Sequence, residues 1–118
     1  MSLPVNADTF GIIHSDFHPS NFMLEQLADG SWEMTAIDFD NAQRSWYIID
    51  LGTVVFCANK QLDANKELIG GEDAYQTHLA NFKDWIIEGY GLPVDRFELT
   101  QACEWRREFE YYARIYDL

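Results

Sequence analysis

The stretch His14-Ser15-Asp16-Phe17-His18-Pro19-Ser20-Asn21 gathers a carboxylate, two imidazoles and an amide, and Ile37-Asp38-Phe39-Asp40 adds two more carboxylates. Moving a phosphoryl group to a hydroxyl needs a carboxylate that orients the hydroxyl and accepts its proton. It also needs oxygen ligands that hold Mg²⁺ against nucleotide phosphates. Asp16 suits the first task, and Asn21 with Asp38 suits the second. A different chemistry draws on the same segment. His14, Asp16 and His18 alternate, so an extended strand would present them on one face as ligands of a hydrolytic metal with an activated water. That arrangement gives Asn21 and Asp38 no task.

These groups act together only if the chain between them turns back on itself. Phe22 to Leu27 alternates weakly, Trp32 to Phe39 carries apolar residues around Asp38, and Asp29-Gly30 between them is a turn signal. A hairpin is expected at about Phe22–Gln26 with Glu33–Ile37, and it would bring Asp38 back to the His14–Asn21 loop. From Trp46 to Ala58 the sequence is almost continuously apolar and reads as a buried helix, with Asp50 as its anomaly. A carboxylate there must find hydrogen-bond donors.

Asn59 to Asp73 is polar, holds Gly70-Gly71, and reads as a loop with at most one short helical turn. Tyr75, Leu79, Phe82, Ile86 and Tyr90 then recur at helical spacing, with Gly89 and Gly91 as a stop signal. A last helix follows Pro93, with Asp95 and Glu98 as its capping pair and Leu99, Cys103, Tyr112 and Tyr116 along its apolar stripe.

With 118 residues, 47% of them hydrophobic and 15% aromatic, the chain suits one folded domain. No apolar run approaches the roughly 20 residues of a membrane span. Its charge of −12, from 20 acids against 8 bases, argues against nucleic-acid or anionic-membrane partners, which require clustered Lys and Arg. An acidic protein that handles phosphate needs a divalent cation. Cys57 and Cys103 lie far apart, outside metal-ligand spacing and behind no signal-peptide pattern. They read as reduced core residues of a cytoplasmic protein.

The order H-x-D-x-x-x-x-N followed by D-F-x, in place of D-F-G, resembles the catalytic loop of kinases. The segments HSDFHPSN and AIDFD are similar to those of aminoglycoside phosphotransferases, choline kinases and related small-molecule kinases. Ser15 stands where protein kinases usually carry Arg, and Asp40 where they carry Gly, which with His18-Pro19 favours the small-molecule branch. The resemblance is specific over about residues 10–56. It implies an α+β, mainly helical fold: part of the C-terminal lobe of a protein-kinase-like fold, with a catalytic loop, a small β-hairpin and about three helices. Asp16 would be the base, and Asn21 and Asp38 the ligands of Mg²⁺ bound with ATP or another nucleoside triphosphate. The acceptor would be a hydroxyl of a small molecule.

By the same resemblance His14 braces the loop, and Asp50 accepts its backbone N–H groups. His18 either touches phosphate or packs the loop. Asp40 contacts a second metal or the substrate, or is a solvated turn residue. The two later helices resemble the variable part of these kinases that selects substrate, so Glu104, Glu108 and Glu110 either face a cationic substrate or form a solvated helix face. Only thirteen residues precede His14, with no Gly-rich phosphate loop or strand Lys among them. Residues 1–118 are therefore expected to be a single partial domain, lacking the N-terminal nucleotide-binding lobe and inactive alone. A contrasting expectation is a non-catalytic kinase-like module that forms a homo-oligomer through surface exposed by the missing lobe.

Overall fold

A computed structural model describes the backbone of residues 3–116 and the side chains of residues 3–111. Strand β1 (Phe10–Ile13) pairs antiparallel with β4 (Gln43–Trp46), in the register Phe10 to Trp46 and Ile13 to Gln43. Between them lie a short 3₁₀ turn (Pro19–Asn21) and a second antiparallel pair, β2 (Phe22–Gln26) with β3 (Trp32–Ala36). The hairpin falls within one residue of its expected bounds. Its loop closes where Leu27 N–H donates to Ser31 O, 2.8 Å, and Gly30 takes the left-handed φ of 87° that glycine adopts without strain.

The helical half consists of α1 (Ile48–Ala64), the single-turn α2 (Lys66–Ile69), α3 (Glu72–Tyr90) and α4 (Arg96–Tyr116). The class is thus α+β, with three long helices, one short one and two small antiparallel sheets among the described residues.

Two boundaries differ from the sequence reading. The apolar run from Trp46 to Ala58 does not start a helix at Trp46, because Gln43–Trp46 completes the ladder of β1 and the Trp46 ring meets Phe10 edge-on at 5.5 Å. At the other end, residues 59–64 continue α1 rather than forming a loop. Lys60, Gln61 and Asp63 face solvent, while Asn59 accepts the Tyr75 hydroxyl, and a polar face reads as loop when only hydropathy is weighed.

The end of α3 follows its signals: Gly91 caps it in the left-handed conformation, φ 76°. The start of α4 is a reciprocal capping box, with Glu98 N–H donating to Asp95 Oδ1 (2.8 Å) and Asp95 N–H to Glu98 Oε1 (3.3 Å).

Val55, Phe56, Leu99 and Cys103 form the buried centre where α1 crosses α4, and Leu79, Phe82 and Ile86 of α3 pack onto it. Gly52 permits that crossing, since a Cβ there would lie 2.6 Å from the carbonyl carbon of Ala102. Burial pushes the thiols of both Cys57 and Cys103 above their ordinary value, and neither is in a disulfide. The side chains of Tyr112 and Tyr116 lie outside the described residues. Among the described residues, no helix is long and apolar enough to cross a membrane.

Candidate active site

The loop between β1 and the 3₁₀ turn is held from below by the first turn of α1. Asp50 Oδ2 accepts the N–H of His14 at 2.8 Å, and Oδ1 accepts that of Ser15 at 2.9 Å. Both carboxylate oxygens of the helix's anomalous acid are thereby engaged, which is how its partial burial is tolerated.

His14, 5% exposed, is bonded on both sides of its ring. Asp16 N–H donates to Nδ1 (3.2 Å), so the ring proton sits on Nε2, which donates to the Ile37 carbonyl at 2.7 Å. Phe17 and Phe39 flank the ring at 5.5 and 4.7 Å. His14 therefore ties the loop to the residue preceding Asp38.

Asn21 makes the second tie. It is buried, and its Nδ2 donates to the Asp16 carbonyl (2.7 Å) and to Asp16 Oδ2 (3.3 Å). Two oxygen acceptors on that side fix the amide orientation and leave Oδ1 for another partner. The Asn21 main-chain carbonyl accepts Ile37 N–H at 2.8 Å, extending the β2–β3 ladder by one rung. Asp38 is the next residue, and its carboxylate is exposed. The hairpin thus returns the backbone at Asp38 to Asn21, whose side chain meets Asp16.

Two residues here adopt the left-handed region without being glycine: Ser15, φ 74°, and Asp38, φ 62°. Such conformations cost on the order of 1 kcal/mol or more and persist only where the surroundings enforce them. Ser15 precedes the candidate base, and Asp38 is the candidate ligand.

His18 lies beside Asp16, with Nε2 3.4 Å from Oδ2, and also meets Asn21 Nδ2 at 3.3 Å. Asp40 is exposed in the turn closed by Ala42 N–H donating to Phe39 O, 2.9 Å. Of the late acids, Glu104 pairs with Arg107 and Glu110 with Lys60, while Glu108 is exposed.

A cleft of about 330 Å³ opens beside Asp16, lined by Ser15, Asp16, Asn41, Gln43, Arg106 and Phe109. Gln43 Nε2 donates to Ser15 Oγ at 2.7 Å. The sequence reading missed Gln43 and Arg106. Arg106 had a signal, being a cation at helical spacing from Leu99 and Cys103 on an otherwise apolar face; Gln43 had none.

The arrangement supplies a partly exposed carboxylate, Asp16, with the amide of Asn21 bonded to it, and an exposed acid, Asp38, at the end of the returning strand, residue types that proton acceptance and cation binding use. Asn21 Oδ1 and the Asp38 carboxylate are hard oxygen donors of the kind Mg²⁺ takes. Among the described residues, no three His, Cys, Asp or Glu side chains are grouped to hold a metal ion. The three-ligand set His14, Asp16 and His18 is not assembled, because both ring nitrogens of His14 are engaged within the protein.

The sequence model of the phosphotransferase enzyme family matches residues 2–86, which contain every residue of this site except the α4 wall of the cleft. Amicoumacin kinase of Bacillus subtilis (strain 168) is 30% identical over 54 residues. That match covers 46% of this chain and 15% of the kinase, so the chain spans a small part of the relative's length.

Proposed function

The chain belongs to the phosphotransferase enzyme family, of the aminoglycoside phosphotransferase-like kind, and on that premise we propose that it supplies the catalytic loop of a small-molecule kinase. It is the catalytic-loop portion of a C-terminal lobe, and the enzyme moves the γ-phosphoryl group of ATP or another nucleoside triphosphate to a hydroxyl. Asp16 orients that hydroxyl and takes its proton. Asn21 and Asp38 hold Mg²⁺, which when bound neutralises charge on the nucleotide phosphates. His14 and Asp50 keep the loop in shape. In this reading His18, which lies beside the Asp16 carboxylate, contacts the transferred phosphate, and Asp40 is a solvated turn residue.

The observation that carries this reading is the double engagement of Asn21. Its side chain donates to Asp16, and its main-chain carbonyl accepts the N–H of the residue before Asp38. One residue thus sets the base against the second metal ligand. The test is ADP release from Mg·ATP with hydroxylated acceptors, by the two-lobe enzyme that carries this segment. Asp16→Asn is expected to lower kcat by about 10²- to 10⁴-fold, the usual contribution of a positioned base. Unchanged turnover would remove Asp16 from the chemistry.

An interaction role has its own supporting observation. Met23, Leu24, Trp32 and Met34 of the β2–β3 hairpin are all more than half exposed. An apolar strand pair of this kind favours association with another surface, a nucleotide-binding lobe or a second copy of the chain.

A further inference from the structure

From the α4 wall of the cleft we infer the charge class of the acceptor: it carries an anionic group, a carboxylate, alongside its reacting hydroxyl, and Arg106 receives that group. The inference rests on the kinase reading of Asp16 and extends it to substrate selection.

Arg106 and Phe109 face Asp16, Ser15, Asn41 and Gln43 across the cleft. The Arg106 guanidinium lies over the rings of Phe56 (5.3 Å) and Phe109 (5.6 Å), which fixes its plane without neutralising its charge. Its Nη1 is shielded from solvent and has no hydrogen-bond acceptor among the described residues. Among the described residues Arg106 forms no ion pair; Arg44, which is exposed, and Lys83, which bonds Thr100, form none either, whereas Lys60, Lys66, Arg96 and Arg107 have acidic partners. In a chain with 20 acids and 8 bases, an oriented and unpaired guanidinium at the cleft of the candidate base needs a reason. The planar fork of arginine matches a carboxylate or phosphate through paired N–H donors.

The acids that would select a cationic acceptor do not line this cleft: Glu104 is turned to Arg107, and Glu110 to Lys60. The two walls therefore sort an acceptor by its groups, the hydroxyl toward Asp16 on the loop and the carboxylate toward Arg106 on α4. The same fork would also suit a nucleotide phosphate, and the test separates the two sources.

The experiment is a nuclear magnetic resonance titration of the ¹⁵N-labelled chain with four probes: glycerate, glycerol, ethanolamine and inorganic phosphate. The Nε–H of Arg106 and the backbone amides of Gln43 and Phe109 are followed. Glycerate is expected to shift these signals saturably, glycerol and ethanolamine to leave them in place, and Arg106→Gln to weaken glycerate binding by about tenfold or more. The Val55 and Leu99 amides report whether that variant keeps its core.

Three results overturn the inference: no shift with glycerate, a cleft response to ethanolamine, or a response to phosphate alone, which would assign Arg106 to the nucleotide. Added Mn²⁺ reports separately on Asn21 and Asp38. Glycerate binding without broadening there removes the kinase reading and leaves an anion site, whereas broadening without a glycerate response removes only the acceptor assignment.

Discussion

Asp50 illustrates how much one side chain can determine in this fold. It sits in the first turn of α1, where a carboxylate is favoured by the helix dipole, and it spends both oxygens on the N–H groups of His14 and Ser15. Asp50→Ala leaves two loop donors without acceptors, and charge-assisted bonds of this kind contribute about 1.5–3 kcal/mol each when lost. The variant is expected to unfold at lower denaturant concentration with unchanged cooperativity, and the amides of His14 and Ser15 should lose protection from hydrogen exchange. Unaltered exchange at those two amides would show that the loop is braced by other contacts. At this scale the sequence was informative. An acid in an apolar helix is an anomaly that demands donors, and the resemblance to small-molecule kinases named the loop N–H groups as their source. Arg106 was less legible, because a cation on an apolar stripe reads as a surface residue until the wall opposite it is known.

Elements place these residues through two crossings. The β2–β3 hairpin returns Asp38 to Asn21, and the α1–α4 contact sets Arg106 over the cleft one helical turn beyond Ala102. That contact closes on Gly52, where an added methyl would overlap the Ala102 backbone. Gly52→Ala is therefore expected to destabilise the chain by about 1–3 kcal/mol through overpacking, despite the higher helix propensity of alanine. Thermal unfolding measures this, and a gain in Tm would mean that the helices can separate without loss. Turn and cap chemistry made the hairpin, the end of α3 and the start of α4 readable from Asp29-Gly30, Gly91 and Asp95 with Glu98. Strand β4 was not readable. Gln43–Trp46 has no alternation that marks a strand, and it becomes one only because β1, thirty residues earlier in sequence, supplies its partner. Pairing between distant segments leaves no local trace.

On the scale of the whole molecule, a helical half with its own core carries a sheet half that has little. The buried centre lies between α1, α3 and α4, while the hairpin projects Met23, Leu24, Trp32 and Met34 into solvent. The chain is expected to associate through that hairpin, so its sedimentation coefficient should rise with concentration, and Trp32→Lys with Met34→Lys should return it to the monomer value. A monomer at every concentration would count against the hairpin as a contact surface. Family membership was legible from the spacing of His14, Asp16, Asn21 and Asp38, since residues 2–86 match the phosphotransferase enzyme family. The cleft proposed for the acceptor was not, because it is closed by α4, whose contribution depends on how the helices cross.

Asn21 and Asp38 are proposed to form a cation site beside Asp16, and paramagnetic broadening by Mn²⁺ tests that site without requiring turnover. Substoichiometric Mn²⁺ added to the ¹⁵N-labelled chain should broaden the amides of Asn21, Asp38 and Asp16 first, and Asp38→Ala should abolish that selectivity while the core amides of Val55 and Leu99 keep their positions. Broadening that starts elsewhere on this acidic surface, or that persists unchanged in Asp38→Ala, would contradict the assignment.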